Sequence, residues 1–551
     1  MSKDDITISL TDDGAALAVT PGTSILSTAQ QNNIDIIATC GGRGRCRSCR
    51  VKILKGDATI PSVADTSQLS IDEINEGYRL SCQCFPTETS SYSIAPPTHE
   101  TSFQILSEPG SWHDMLDSID HNTEFDTPYG IAFDIGTTTV VGYLINLQSG
   151  KTLASVSGLN PQTVFGGDLI SRITFAAEKP SNVKKLTQRI TSFMSDLISS
   201  ACDQAGITPA DICKVTIVGN TCMHHLFLGI DPTQLGSAPY DPVMVEPHTC
   251  TAKSCGFKLH ENANVYMLPI IAGFVGADTV AVILSAHIQN REGVVIAADI
   301  GTNCEVVLKT DQGMIAASSP AGPALEGGQI RDGMRAALGA IDKVNYGDDI
   351  EIHTIGEAPA LGICGSGLID GVAVMLELGI INKMGRLLLE PKQVLKQAIM
   401  TRLRKGEDGL PEFVLVWATD SGNNLDIVLN QTDIRQLQLA KAAIMSGVEA
   451  LLQQVDMTLE DIDEFLLAGG FGNYISIENS KRIGLIPDLP EGHIQYIANA
   501  AGLGSQMVLL SDQAKVEAEA IALKVRHLSL AGYEGFQKMY LGAMSFPAGA
   551  K

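Results

Sequence analysis

Five cysteines between residues 40 and 84 are the side chains whose types and spacing point most directly to chemistry. They are Cys40, Cys46, Cys49, Cys82 and Cys84. Disulfides are rare in a reducing compartment, where clustered thiols instead bind metal or carry out redox reactions. Glycines at positions 41, 42 and 44 leave room for backbone N–H groups to approach the sulfur atoms closely. The pattern therefore predicts a metal or redox centre near the start of the chain.

Two other interpretations of these cysteines fit less well. A zinc site favours two C-x-x-C pairs, whereas the second pair here is C-x-C. A thioredoxin-like dithiol at Cys46 and Cys49 belongs at the start of a helix, but here a loop rich in Gly and Arg surrounds the two residues. The seven cysteines beyond residue 84 lack this spacing and are expected to be buried thiols. His248, Cys250 and Cys255 are a weaker candidate for a second metal site.

A second group of residues has the types and spacing that bind phosphate. Residues 131–137 (IAFDIGT) match residues 296–302 (IAADIGT) at an offset of 165, which indicates an internal repeat. In each copy an apolar strand leads to Asp, a tight Gly turn and a hydroxyl. Glycine lets N–H groups approach a phosphate, threonine adds donors, and the carboxylate can orient water on Mg²⁺. A third segment, 465–473, is an apolar strand running into a Gly-rich loop that could pass close to adenosine.

Two such hairpins facing each other could hold a triphosphate from both sides. We assign Asp134 and Asp299 to catalysis. The predicted nucleotide-binding residues are Gly136, Thr137, Thr138, Thr139, Gly301, Thr302, Asn303, Glu305, Gly469, Gly470, Gly472 and Asn473. Rival motifs are absent from the sequence, because Ile145 stands where a P-loop before Lys151 needs Gly, and no G-x-G-x-x-G follows a strand. The alternative is a pair of ordinary β-turns in a duplicated fold.

The elements that position these residues fall into a small N-terminal unit and a larger α/β region. Residues 1–95 show short alternating strands and turns and are predicted to form a small β-rich domain. Residues 96–128 are rich in Ser, Thr and Pro and are predicted to be a flexible linker. Apolar strand-like runs then alternate with helical stretches, which predicts two α/β halves, 129–290 and 291–551.

Composition excludes several classes of protein. The 551 residues include 38 Lys and Arg against 62 Asp and Glu, a net charge of −24, which argues against nucleic-acid binding and against adhesion to anionic lipid. The N-terminal sequence MSKDDITISL lacks a basic-then-apolar signal pattern, and the longest uncharged runs, such as 264–277, are shorter than a membrane helix. We therefore expect a cytoplasmic protein without nucleic-acid or membrane partners.

The N-terminal unit and the α/β region each resemble a known type of domain. The cysteine loop resembles that of the [2Fe–2S] ferredoxins of the β-grasp fold, and RLSCQC resembles their last-ligand segment. Spacing alone leaves Cys82 and Cys84 both open as the fourth ligand. The resemblance implies Cys40, Cys46, Cys49 and Cys82 as the cluster ligands, with Cys84 a bystander. The paired hairpins followed by LAGG resemble the actin, sugar-kinase and Hsp70 (ASKHA) ATPase superfamily.

The combination of both domains resembles the reductive activators of corrinoid-dependent methyltransferase systems. The similarity runs through CGGRGRC, RLSCQC, FDIGTTT, VGNTCMHHLFLG, AADIGTNCE, SPAGPALEGG and LAGGFGNY, in that order. It implies ATP- and Mg²⁺-dependent reduction of a Co(II) corrinoid protein to Co(I), an external low-potential electron donor and a homodimer. Two alternatives stay open: an iron–sulfur electron carrier or scaffold with a nucleotide-sensing domain, and an ATP-driven electron donor to another low-potential enzyme.

Overall fold

The fold is taken from a computed structural model of the chain. It describes residues 6–10, 16–20, 22–32, 34–38, 40–44, 46–56, 60–69, 71–95, 129–406, 409–469 and 475–547. The predicted linker 96–128 lies outside the described residues, as do Gly470, Gly472 and Asn473 of the predicted nucleotide site. Among the helices in the described ranges, none has both the length and the apolar character needed to cross a bilayer.

A five-stranded mixed sheet with three short helices forms the N-terminal domain. Its elements are β1 (Thr7–Ser9), β2 (Leu17–Ala18), α1 (Ile25–Gln31), β3 (Arg50–Lys55), α2 (Val63–Gln68), α3 (Ile71–Asn75), β4 (Tyr78–Leu80) and β5 (Ser90–Ile94). The strand order is β2-β1-β5-β3-β4, with β1 parallel to β5 and the other pairs antiparallel. Ile8, Ile25, Val51, Leu80 and Tyr92 fill its core at 1% exposure or less. The predicted small β-rich domain is thus present.

The next sheet carries the first Asp-Ile-Gly-Thr segment. Its elements are β6 (Tyr129–Ile135), β7 (Thr139–Asn146), β8 (Thr152–Leu159), α4 (Leu169–Glu178), α5 (Pro180–Ala205), β9 (Ile212–Gly219), α6 (Thr221–Leu228), β10 (His248–Thr251), β11 (Asn264–Met267) and α7 (Ala277–Ser285). The six strands are ordered β10-β11-β9-β6-β7-β8. Helix α5 starts with Pro180 in its first turn and ends at Gly206, which has a left-handed conformation suited to glycine.

The remaining residues form a second six-stranded sheet and two three-stranded sheets. The elements are β12 (Val295–Ile300), β13 (Cys304–Thr310), β14 (Gly313–Ser319), β15 (Ala340–Tyr346), β16 (Ile350–Thr354), β17 (Gly362–Ile363), α8 (Gly365–Glu377), α9 (Gln397–Thr401), β18 (Leu403–Lys405), β19 (Pro411–Val416), β20 (Ile427–Asn430), α10 (Gln431–Gln453), β21 (Glu464–Ala468), α11 (Ile477–Ile483), β22 (Ile494–Tyr496), α12 (Ala500–Leu510), α13 (Asp512–Lys524), β23 (Val525–His527) and α14 (Phe536–Ala543). The sheet orders are β22-β21-β12-β13-β14-β23, β16-β15-β17 and β18-β19-β20.

The two six-stranded sheets share one topology. The order β11-β9-β6-β7-β8 in the first corresponds to β22-β21-β12-β13-β14 in the second. In both, an antiparallel hairpin opens the half and a later strand joins the hairpin's first strand in parallel. The central strands are apolar and buried, as expected for strands covered on both faces. This confirms the predicted duplicated α/β fold.

Helix α12 connects the two halves in space. It follows β22 of the second half, yet Ser505 Oγ donates a hydrogen bond to the carbonyl oxygen of Phe133 in β6 at 3.2 Å. Leu509 also packs against β6, where a Cβ added to Gly130 would lie 3.1 Å from its methyl carbons. Because β6 leads directly into the first hairpin, α12 fixes that hairpin relative to the second half.

Candidate functional site

Four of the five clustered cysteines lie together at one end of the small sheet. Strand β3 begins directly after Cys49, and β4, its antiparallel neighbour, ends two residues before Cys82. The pairing brings these two thiols into hydrogen-bond contact, and the Cys46 thiol contacts Cys40 in the same way. The charge of Cys40 also acts on Cys82, so the two pairs adjoin each other.

The close approach of these thiols and their burial shift their pKa values. The hydrogen bond to Cys82, followed by burial, raises the pKa of the Cys49 thiol well above its usual range. Cys40 and burial do the same to the pKa of Cys46, whereas the hydrogen bond from Cys49 lowers the pKa of Cys82. Thiolates held in one small volume repel one another. The four thiols can therefore all ionise only if a cationic centre lies among them.

The loop that carries Cys40 and Cys46 is shaped for close wrapping. Gly41, Gly42 and Gly44 all have positive φ, at 62°, 77° and 66°. A Cβ on Gly44 would lie 2.9 Å from the Ala64 side chain, so only glycine fits there without displacement. Thiol donors, glycine wrapping and burial together fit a two-iron cluster held by four cysteines.

Cys84, the alternative fourth ligand, lies further along the chain in the domain core. It is 2% exposed, and its carbonyl oxygen accepts a hydrogen bond from Ile25 N at 3.0 Å. Cys82, by contrast, is in contact with Cys49 and is 3.8 Å from Gln83 Nε2. The geometry therefore favours Cys82.

We expect Cys82→Ser to lose the iron–sulfur chromophore and Cys84→Ala to keep it. Alanine is used at position 84 because a hydroxyl there would be buried in an apolar core. Iron and sulfide analysis with EPR of the reduced protein measures both. Retention of the full cluster in Cys82→Ser, with loss in Cys84→Ala, contradicts the assignment.

The two Asp-Ile-Gly-Thr hairpins face each other across a cleft. In the first, Gly136 N donates to the carbonyl oxygen of Thr139 at 2.9 Å, and the turn 301–303 closes in the same way at 3.1 Å. The hydroxyl oxygens of Thr138 and Thr302 lie 3.4 Å apart. The structure thus brings the predicted residues of both hairpins together, with the two turns opposite each other.

Asp134, Asp278, Asp299 and Glu305 lie at this cleft and interact electrostatically. Burial, reinforced by the charges of Asp278 and Asp299, raises the pKa of Asp134 to about 8. Burial and Asp278 raise the pKa of Asp299 to about 7, and burial raises that of Asp278 to about 6. Glu305 also has its pKa raised by burial, although it accepts a hydrogen bond from Ser318 at 3.0 Å. A cation in the cleft would relieve this repulsion.

The carboxylates do not form a ready-made cage for a bare ion. Among the described residues, no group of three or more His, Cys, Asp or Glu side chains has the spacing to hold a single metal ion. Mg²⁺ in nucleotide sites keeps several waters and binds through one or two carboxylates together with substrate phosphates, so its site does not require such a group.

The third predicted element begins next to the second hairpin. Gly469 has φ of 99°, and a Cβ on it would lie 2.9 Å from Asp299 Oδ1. Its N–H donates to the carbonyl oxygen of Ala498 at 3.1 Å. The start of the Gly-rich loop therefore lies against a carboxylate of the cleft.

Two carboxylates at the cleft were missed from the sequence. Asp278 has one available signal, since it ends the long uncharged run 264–277 and lies in the first turn of α7. Glu326, in the 322–328 loop, accepts a hydrogen bond from the Thr302 hydroxyl at 2.6 Å, and this contact joins segments that no local pattern connects. Asn220, whose place at the end of an apolar strand already indicates a position in the cleft, donates to the Thr137 hydroxyl at 3.0 Å.

Two further motifs have structural roles. His225 contacts the carbonyl oxygen of Thr221 at 2.8 Å and the backbone N of Val243 at 3.0 Å. Burial lowers the pKa of its neighbour His224 to about 3, so that ring is neutral. In the 362–367 loop, a Cβ on Gly365 would lie 2.0 Å from the carbonyl oxygen of Leu325, so the glycine allows α8 to pack on the loop that holds Thr302.

The thiols of Cys250 and Cys255 lie 2.7 Å apart at the end of β10. With no third metal-ligating partner arranged around them in the described ranges, we expect a disulfide on oxidation rather than a metal site. Hydrogen peroxide should convert the two thiols to one disulfide and two waters. Peptide mass mapping should show a loss of two hydrogens between these residues, absent in Cys250→Ser. Stoichiometric metal binding at this pair contradicts the expectation.

Comparisons with known proteins cover almost the whole chain. Residues 9–87 match a 2Fe-2S iron-sulfur cluster binding domain, 129–291 match the RACo middle region, and 293–551 match the C-terminal domain of RACo, the ASKHA domain. The corrinoid activation enzyme RamQ of Eubacterium limosum is 32% identical over 551 residues, covering 91% of this chain and 92% of that protein. The chain belongs to this family of corrinoid activators.

Two further members of the comparison agree with this assignment. The [Co(II) methylated amine-specific corrinoid protein] reductase of Methanosarcina barkeri is 25% identical, over 76% of this chain and 77% of that protein. The solved structure of a reductive activator for corrinoid, iron-sulfur protein is 30% identical, with a TM-score of 0.71 and 98% of both chains covered. The activator fold, the iron–sulfur domain and the nucleotide-binding superfamily predicted from the sequence are confirmed.

Proposed function

We propose that this activator uses ATP to return an inactive Co(II) corrinoid protein to Co(I) by one-electron transfer from a [2Fe–2S] cluster. The observation that carries the proposal is the presence, on one chain, of a four-thiol ferredoxin loop and a carboxylate-lined cleft between two phosphate-binding hairpins. The relative and the solved structure that match over more than 90% of this chain carry names that describe activation of corrinoid proteins.

The cluster ligands in this proposal are Cys40, Cys46, Cys49 and Cys82. When bound, a plant-type cluster supplies a one-electron couple near about −400 mV. The family resemblance implies a lower potential for Co(II)/Co(I), so transfer is uphill and each ~59 mV costs a factor of ten in the equilibrium. The chain must therefore supply free energy, and ATP is the source that its second domain can bind.

The nucleotide in this proposal lies between the hairpins as Mg–ATP. Thr137, Thr138 and Thr302, with the backbone of both turns, contact phosphate, while the loop that begins at Gly469 contacts the nucleoside. Asp134 and Asp299 would hold Mg²⁺ through its waters and orient the water that attacks the terminal phosphate, and Mg²⁺ would neutralise charge on the phosphates. Their raised pKa values mean that neighbouring positive charge is needed to keep both ionised at neutral pH.

The proposed setting follows from the same assignment. The partner is a corrinoid protein of a methyltransferase system, and electrons come from an external low-potential donor, since no flavin or nicotinamide fingerprint is apparent in the sequence. We infer a cytoplasmic homodimer with domain limits at 1–95, 129–290 and 291–551 and a linker at 96–128. The net charge of −24 argues against a nucleic-acid partner.

The test is a reductase assay from which components are omitted one at a time. A low-potential reductant, this protein, Mg–ATP and a Co(II) corrinoid protein should together give the Co(I) absorption spectrum. Omission of ATP, Mg²⁺ or the protein should each reduce the rate to background. The same rate without ATP would leave an electron carrier with a nucleotide sensor, and no cobalt reduction in the complete mixture would favour a different low-potential acceptor.

A further inference from the structure

The N-terminal domain (residues 1–95), here called the cluster domain, contacts the first half of the ATPase region through several side chains. Gln30 Nε2 in α1 donates to the carbonyl oxygen of Val164 at 3.0 Å. Asp35 accepts two hydrogen bonds from the Arg189 guanidinium, at 2.6 and 2.8 Å. The cysteine loop itself touches α4, since a Cβ on Gly41 would lie 2.9 Å from Ser171 Oγ.

This contact has the character of reversible docking. The Arg189 and Asp35 side chains are 33% and 47% exposed. A cavity of about 450 Å³ lies between the two surfaces, lined by Thr23 and Arg43 on one side and by Phe165 and Phe175 on the other. A few polar bonds around an open space form a far weaker contact than a continuous apolar core, so the domain can leave and return.

Residues 160–172, here called the connector, form part of the surface of the ATPase region on which the cluster domain docks, beside Phe175 and Arg189. The connector also holds the first phosphate hairpin from behind. Asn160 Nδ2 donates to the carbonyl oxygen of Gly136 at 2.9 Å. The fully buried Arg172 donates to the carbonyl oxygen of Thr137 and, at 2.8 Å, to that of Gly166. Ser171, which touches the cysteine loop, is the residue immediately before Arg172.

These bonds orient the donors of the hairpin. In a trans peptide the C=O and N–H groups point in opposite directions. Because the connector binds the carbonyls of Gly136 and Thr137, the N–H groups of Thr137 and Thr138 point away from the connector. Those N–H groups are the ones a phosphate in the cleft needs, so a well-ordered connector organises the first hairpin for nucleotide.

We propose that docking of the cluster domain on the connector and binding of ATP at the first hairpin favour each other. The inference rests on the proposed nucleotide site and adds its regulation. Docking restrains Val164 and Ser171, the connector then holds the two hairpin carbonyls, and the nucleotide gains affinity. Linkage makes the effect reciprocal, so ATP raises the equilibrium constant for docking by the same factor. Hydrolysis then releases the cluster domain to reach its acceptor.

The test uses the exposed pair that joins the two domains but contacts neither site. Full-length Asp35→Arg and Arg189→Asp should each weaken Mg–ATP binding about fivefold by calorimetry, within the usual range of coupling. The exchanged double variant should recover most of the affinity. Lys396→Asp is the control, because it removes a surface pair with Asp348 far from the interface. Small-angle scattering should show that ATP compacts the wild type and has less effect on the single variants.

The outcomes separate this proposal from the proposed function. A combined Gln30→Ala, Asp35→Arg chain that binds ATP as tightly as wild type overturns the coupling, whatever its scattering profile. If that chain also reduces cobalt only with ATP, the function stands without the coupling. If wild type binds no ATP, both fail together.

Discussion

A Cys46→Ser chain should fold and bind ATP but lose the cluster and all cobalt reduction above background. Serine oxygen is a poor substitute for a thiolate as an iron ligand. Because the Cys46 thiol contacts Cys40, the substitution removes one of the four thiols that would bind the cluster. ATP affinity should fall by no more than the fewfold effect expected from loss of docking. Iron analysis, EPR, calorimetry and the cobalt assay measure these in turn.

Cys255→Ser provides the matched control for this prediction. Cys255 is half-buried like Cys46 but lies beside β10, in the ATPase region. We expect the control to keep the cluster and wild-type reduction. Cobalt reduction by Cys46→Ser at the wild-type rate would show that electrons bypass the cluster, and zinc in place of iron in wild type would exclude redox chemistry at this loop.

Asp299→Asn should lower ATP hydrolysis about 100-fold or more without lowering thermal stability. Removing one preorganised electrostatic group from an active site, such as an oxyanion-hole donor, typically costs about 10²–10³ in kcat. The pKa of Asp299 is raised in the fold to about 7, mainly by burial. Because the unfolded carboxyl ionises from its ordinary pKa of 3.8, stability is lost as pH rises from there to about 7 and stays lost above it. The neutral amide removes that cost, so the melting temperature at neutral pH should hold or rise.

Asp311→Asn is the control for this second prediction. Asp311 lies exposed in the turn after β13, on the same sheet as Asp299. We expect its hydrolysis rate, its cluster spectrum and its melting temperature to match those of wild type. A hydrolysis rate near wild type in Asp299→Asn contradicts the assignment of this carboxylate, and a large loss of stability would place its role in folding.

The features predicted from sequence are those written in short, local patterns. The Cys40–Cys49 loop needs glycines beside its thiols, and each Asp-Ile-Gly-Thr hairpin needs its residues consecutive, so both remain visible without a structure. The repeat at an offset of 165 predicted two half-domains with the same opening hairpin, and the fold confirms both hairpins. The roles of Asp134 and Asp299 in catalysis stay predictions.

The features missed from sequence depend on contacts between distant segments. From the sequence alone, Arg172 is one more residue of an amphipathic helix. Only the fold shows that it is fully buried and donates a hydrogen bond to the Thr137 carbonyl oxygen. Asp278 enters the cleft because α7 packs close to the end of β9, where a Cβ on Gly276 would lie 2.5 Å from Asn220 Cα. Such tertiary pairings have no signature in the spacing of either segment.

The most direct test of the central claim is the final Co(I) fraction rather than a rate. A Co(II) corrinoid protein and this activator are held with a reductant poised at the measured potential of the cluster, and the Co(I) fraction is read by absorption spectroscopy. Because transfer is uphill, only a small Co(I) fraction should form without ATP, and Mg–ATP should raise it severalfold while ATP is consumed. The same Co(I) fraction with and without ATP would contradict the account, since ATP would then supply no driving force for the reduction.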